Sequence, residues 1–201
     1  MKPPQCDTRI PLFSSARERR IWLWFLAVVV AIFSTLGLAQ TLAVVLGNSA
    51  LGVGLFVLGC LLVLATVVTE GLKVRPAGAE IGVALGVAAA YLLVFVRIAT
   101  PPERSHLIEY GVVAVLLLEA LRERTSQGRR VPAPALLAIL VTSVLGVIDE
   151  CIQAFMPSRV FDPVDILFNV LAGVMATAAS VALARARRWS AARSEFHQPS
   201  S

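Results

Sequence analysis

Between Gly146 and Gly173 the chain carries Asp149, Glu150, Gln153, Arg159, Asp162, Asp165 and Asn169. Carboxylates at this density can hold a divalent cation through oxygen ligands, or serve as general acid and base. An arginine among them can grip a phosphate with its planar fork of donors. A shorter group precedes this stretch: Arg104, His106, Glu109 and Tyr110, of which the last three fall at i, i+3 and i+4 and share one helix face. Histidine widens the chemistry, because it changes charge near neutral pH and ligates metals. By residue type, His106, Glu109, Asp149 and Glu150 are the candidates for catalysis. Arg104, Gln153, Arg159, Asp162, Asp165 and Asn169 are the candidates for holding a substrate. The spacing specifies no metal.

Each residue also has a plainer role open to it. Asp162 and Asp165 can cap a helix and face the positive end of its dipole. Arg104 and Arg159 can sit at a membrane interface or neutralise the acids, and His106 can be an interfacial histidine. Asp149 and Glu150 resist such an account. They are adjacent carboxylates in the last turn of an apolar segment, where the helix dipole opposes both charges. Ionisable residues in membrane spans are functional by default. No H-E-x-x-H helix, serine nucleophile elbow or phosphatase signature accompanies them.

The elements that must position these groups are apolar. Of 201 residues, 57% are hydrophobic, and the mean hydropathy is +0.79. That composition belongs to an integral membrane protein rather than a soluble domain. Apolar runs predict helices over 21–46, 50–69, 81–98, 101–121, 133–153 and 163–183. Each is long enough to cross ~30 Å of hydrocarbon. The predicted fold is all-α, a polytopic membrane bundle of about six spans. Two of the helices announce their starts. Thr100, Pro101 and Glu103 occupy cap, first-turn proline and capping-box positions, and Asp162, Pro163 and Asp165 repeat the pattern. Gly82, Gly86 and Ala90 form a small-residue stripe suited to packing, and Gly173 follows Asp165 and Asn169 on one stripe, where it allows close approach. Trp22 and Trp24 stand where an interfacial aromatic belt would be. Residues 1–20 read as an irregular basic tail, 21–80 as two N-terminal helices, and 186–201 as a basic and then polar tail.

Charge sets the orientation. With both termini in the cytoplasm, all but three of the 18 lysines and arginines fall on the cytoplasmic side. Arg97, Arg104 and Arg159 remain outside with Glu103, Glu109, Asp149, Glu150, Asp162 and Asp165. The basic balance therefore describes a face toward anionic lipid headgroups, not nucleic acid. Three cysteines, Cys6, Cys60 and Cys151, make no disulfide or zinc pattern.

Two stretches carry a resemblance. S-H-L-I-E-Y (105–110) resembles the H-x-x-E-Y/F element of the VanZ-like family of bacterial membrane proteins. The stretch 149–173 resembles its longer signature, with Asp149, Glu150, Gln153, Phe155, Pro157, Arg159, Asp162, Asp165, Asn169 and Gly173 at matching positions. The resemblance covers about 81–185 and leaves the first two predicted helices outside. Many relatives have histidine where this chain has Ile152, and glycine where it has Ser158. A mechanism for this chain therefore cannot rest on a histidine at 152. The family is named for a low-level glycopeptide (teicoplanin) resistance protein. The resemblance thus implies a role in the cell envelope of the bacterial plasma membrane, and names no substrate.

Three functions remain open. The first is an envelope protein with an outward-facing acidic pocket, acting on a cell-wall or lipid-linked precursor, with a divalent cation at the outer acidic cluster as a candidate cofactor. The second is a transporter or proton-coupled carrier; against it, no charged residue stands near the middle of any span. The third is a non-catalytic scaffold in which the polar groups only lock helices together. Membrane lipids are partners in all three, and nucleic acid in none.

Overall fold

A computed structural model describes residues 12–46, 78–97, 101–156 and 161–196. The described residues form five helices: α1 (Ala16–Leu46), α2 (Gly78–Arg97), α3 (Pro101–Ser126), α4 (Pro134–Ala154) and α5 (Pro163–Phe196). They contain no strand, as the sequence predicts. The predicted helix at 50–69 lies outside the described residues. α3 and α5 form the centre; α4 packs across both, α1 flanks α3, and α2 flanks α5.

The helices outrun two of their predicted ends. α3 continues to Ser126 and α5 to Phe196, through arginines that the reading by hydropathy takes as loop and tail. Arginine and alanine are good helix formers, so polarity stops a span there but not a helix. Arg193 stacks over Trp189 at 4.0 Å and Arg188 Nε donates to the Ala184 carbonyl at 3.4 Å, both one turn apart. Glu80 and Arg187 approach at 3.4 Å, tying the start of α2 to this extension.

The polarity of α4 is reversed from that of a soluble helix. Its buried face is Ala138, Thr142, Gly146, Asp149, Glu150 and Gln153. Its exposed face is Leu136, Leu140, Val144, Val147, Ile148 and Ile152. In water this would leave the hydrophobic stripe unburied and bury the polar one; the distribution suits lipid. Pro134–Ala154 and Pro163–Arg193 are each long and apolar enough to cross a membrane.

Packing at the end of the bundle away from Asp149 and Glu150 is conventional. Leu117, Leu118, Leu121 and Ala138 form one apolar cluster, with Trp22 and Phe25 of α1 against it. Trp22 therefore faces the bundle, edge-on to Phe25 at 5.4 Å, whereas Trp24 is exposed. Of the pair assigned to an aromatic belt, only Trp24 has the exposure for it. A second cluster of Leu107, Tyr110 and Ala172 is covered by Tyr91 and Val94 of α2. No described atom comes within 4 Å of a Cβ placed on Gly82 or Gly86, so the small-residue stripe is not packed against described residues.

The tail read as irregular over residues 1–20 is helical from Ala16 and docked. Ser15 Oγ accepts the Glu18 N–H at 2.9 Å, and the Glu18 carboxylate accepts the Ser14 N–H. This is a variant of the capping box, legible in the spacing of Ser15 and Glu18. Ser15 Oγ also donates to Glu123 Oε1 at 2.8 Å, and Arg124 Nε lies 3.7 Å from Glu18 Oε1. Glu18, outside the apolar run, is fully buried. Burial pushes its carboxyl up, but the Ser14 hydrogen bonds and the Arg124 charge outweigh it and hold it below the usual range. A depressed carboxyl contributes stability above its unfolded value near 4.5 and loses it as pH falls through the folded value. Glu18→Ala should therefore lower stability at pH 7 by ~1 kcal/mol, since it removes the acceptor of the partly buried Ser14 N–H. Thermal unfolding in detergent should show the gap from wild type closing at acid pH.

Candidate functional site

Three helix ends converge. α3 supplies His106 and Tyr110, α4 supplies Asp149, Glu150 and Gln153, and α5 supplies Asp165 and Asn169. His106 is 5% exposed, and Asp149, Glu150 and Asn169 are 0%. One ligand atom each from His106, Asp149 and Glu150 lies within 4.8 Å of the others.

The imidazole stands between two carboxylates. Nδ1 is 3.9 Å from Asp149 Oδ2, and Nε2 is 3.8 Å from Asp165 Oδ2. Both distances exceed a hydrogen bond, and Nδ1 has no hydrogen-bond partner among the described residues. The ring stacks on Tyr110 one turn on, with centroids 6.0 Å apart and planes 26° apart. The Tyr110 hydroxyl donates to the Leu145 carbonyl at 3.5 Å, which references α3 to α4.

Glu150 is held from two sides. Gln153 Nε2 donates to its Oε1 at 3.1 Å, and the Asp162 N–H donates to its Oε2 at 3.3 Å. Asp162 in turn caps α5, its Oδ1 accepting the Val164 N–H at 2.8 Å. Of the residues assigned to substrate by type, Gln153 and Asp162 thus orient Glu150, and Asp162 also acts as the cap read from sequence. Glu109 is partly buried on the flank and is not among the three converging ligands. The Arg104 side chain and all of Arg159 lie outside what the structure describes.

One residue at the site escapes a reading by chemistry because it has none. A Cβ on Gly146 would fall 2.5 Å from Asn169 Cβ, 2.8 Å from its Nδ2 and 3.0 Å from its Cγ. Gly146 is where α4 and α5 come closest around the acids. Gly173, which the sequence offers for close approach, would meet Thr142 Cγ2 at an ordinary 3.4 Å. The Asn169 amide makes no hydrogen bond among the described residues.

The opposite end of the bundle is different. Two open cavities of about 470 and 560 Å³ lie there, flanked by Arg122, Arg185 and Arg188, and by Arg124, Arg129 and Arg130. His106 and Arg122 are separated along α3 by ~24 Å at 1.5 Å per residue.

Residues 103–184 match the VanZ/LLP1 family model. This segment is VanZ-like. It spans nearly all of α3, the whole of α4, and α5 as far as the arginine-rich extension, so every group at the site belongs to it. α1 and α2 stand outside the VanZ-like segment, on its flanks. Comparison with curated proteins and with solved structures returns no match.

Proposed function

We propose that this is a multi-pass protein of the bacterial plasma membrane with both termini in the cytoplasm. Its VanZ-like site opens toward the outer face and acts in the cell envelope, on a cell-wall or lipid-linked precursor. The observation that carries this reading is the burial of His106, Asp149 and Glu150 from two helices, with Glu150 oriented by Gln153 and the Asp162 N–H. Helices that only needed locking would be more stable with apolar side chains there, since buried ionic groups seldom repay their desolvation. The charge distribution supports an outward site, because all but three of 18 basic residues fall on the opposite side.

Orientation is testable apart from activity. In a chain with Cys6, Cys60 and Cys151 replaced, Asn48→Cys and Ser158→Cys should react with an impermeant maleimide added to intact cells. Gln127→Cys should react only after permeabilisation. Labelling of position 127 from outside would put the site in the cytoplasm and refute an envelope substrate on the outer face.

A further inference from the structure

We infer that His106 Nδ1, an Asp149 oxygen and a Glu150 oxygen bind a divalent first-row transition ion of the zinc or manganese class. This deepens the reading of the same site by naming its cofactor.

Nδ1 and Asp149 Oδ2 are 3.9 Å apart, too far to share a proton in a hydrogen bond. Two donors each ~2.1 Å from one ion stand about 3–4.2 Å apart as the angle between them opens from 90° to 180°. The gap is wrong for a direct contact and right for a bridging ion. One ligand atom from each of His106, Asp149 and Glu150 lies within 4.8 Å of the others, so the third ligand is already at hand.

Nδ1 is a strong hydrogen-bonding atom on a residue 5% exposed, and it makes no hydrogen bond among the described residues. It points at the carboxylate pair. Nε2, on the other edge of the ring, faces Asp165 Oδ2 at 3.8 Å. With an ion on Nδ1 the imidazole proton sits on Nε2, where the Asp165 charge favours it, the arrangement that orients metal-binding histidines. Asp165 is therefore a positioning residue, and α5 aims a ligand carried by α3.

Asp149 and Glu150 lie in the last turns of α4, whose dipole puts partial negative charge at that end. A dication satisfies both carboxylates and the dipole together. The hydrogen bonds to Glu150 take one lone pair on each oxygen and leave another for the ion. One imidazole with two carboxylates suits zinc, manganese or ferrous iron better than calcium or magnesium, which favour all-oxygen shells. Three protein ligands leave at least one position for water or substrate.

The test uses full-length protein in detergent, with any purification tag removed, stripped with EDTA and dialysed against Zn²⁺ or Mn²⁺. Elemental analysis should find about one ion per chain, and Co²⁺ substitution should give ligand-field bands in the visible spectrum. His106→Ala and Asp149→Asn should lose the ion. Asp165→Asn should keep it with ~10–100-fold weaker affinity, as loss of an outer-shell partner does. Glu119→Gln, far from the site, should match wild type and serves as the folding control. Wild-type protein that takes up no ion under these conditions overturns the inference without any variant having to fold. So does an ion retained equally by folded His106→Ala and Asp149→Asn. Neither result touches the envelope role, which is read from cells by phenotype.

Discussion

Whatever envelope phenotype this protein confers should be lost completely when Asp149→Asn and Glu150→Gln are combined, while the protein is still made, inserted and folded. The substitutions keep shape and remove charge. Glu150→Gln retains a carbonyl oxygen that can accept from Gln153, whose Nε2 now donates at 3.1 Å, and gives up the acceptor of the Asp162 N–H. Removing two buried charges offsets that lost hydrogen bond, so the melting temperature of the metal-free protein in detergent should stay close to wild type. Chemistry has no such tolerance. Amides neither transfer protons near neutral pH nor match a carboxylate as ligands for a dication. Function should therefore be lost while stability is kept, which a purely structural role cannot produce. A folded double variant with its full phenotype would reduce the cluster to a lock between α3, α4 and α5.

Reading from residues alone recovers the parts of this protein that are local. Apolar runs locate α1 to α5, and Asp162 and Pro163 announce the start of α5, where Asp162 Oδ1 accepts the Val164 N–H. Asp149 and Glu150 stand out because nothing local justifies them. What the letters do not reveal is rotation and approach between helices. Glu109 shares a face with His106 in sequence, yet the carboxylates that flank the imidazole are Asp149 and Asp165, from other helices. The pairing depends on how α3 is turned by Tyr110, Leu107 and Ala172 in the core. The docking of α1 by Ser15 and Glu18 has a visible signature in their spacing. It is overlooked because a basic, proline-containing tail reads as irregular. The extension of α5 is missed for a related reason: hydropathy reports where a span ends, and arginine continues a helix beyond it.

Gly146 offers the sharpest test of the geometry at the site. Glycine inside a helix normally costs ~1 kcal/mol against alanine, so Gly146→Ala on an isolated helix would stabilise. Here the sign should reverse. The new Cβ would sit 2.5 Å from the Cβ of Asn169, an atom fixed to the α5 backbone that no rotamer change can move. Relief requires α4 and α5 to separate, and overpacking of this kind costs ~1–3 kcal/mol. Asp149 and Glu150 follow Gly146 by about one turn, so separation also withdraws them from His106, and ion uptake should fall with stability. Gly173→Ala is the internal control: its Cβ would meet Thr142 Cγ2 at an ordinary 3.4 Å, so it should be neutral or stabilising by up to ~1 kcal/mol. Truncating the other side separates the contributions. Asn169→Ala removes the Nδ2 and Cγ contacts but keeps the 2.5 Å clash, so it should rescue Gly146→Ala only slightly. Asn169→Gly removes all three contacts and should restore more, despite its own cost as a helix glycine. Thermal unfolding of the four variants in one detergent gives the order. A Gly146→Ala protein that melts above wild type would mean that α4 and α5 do not approach as closely as this arrangement of the acids requires.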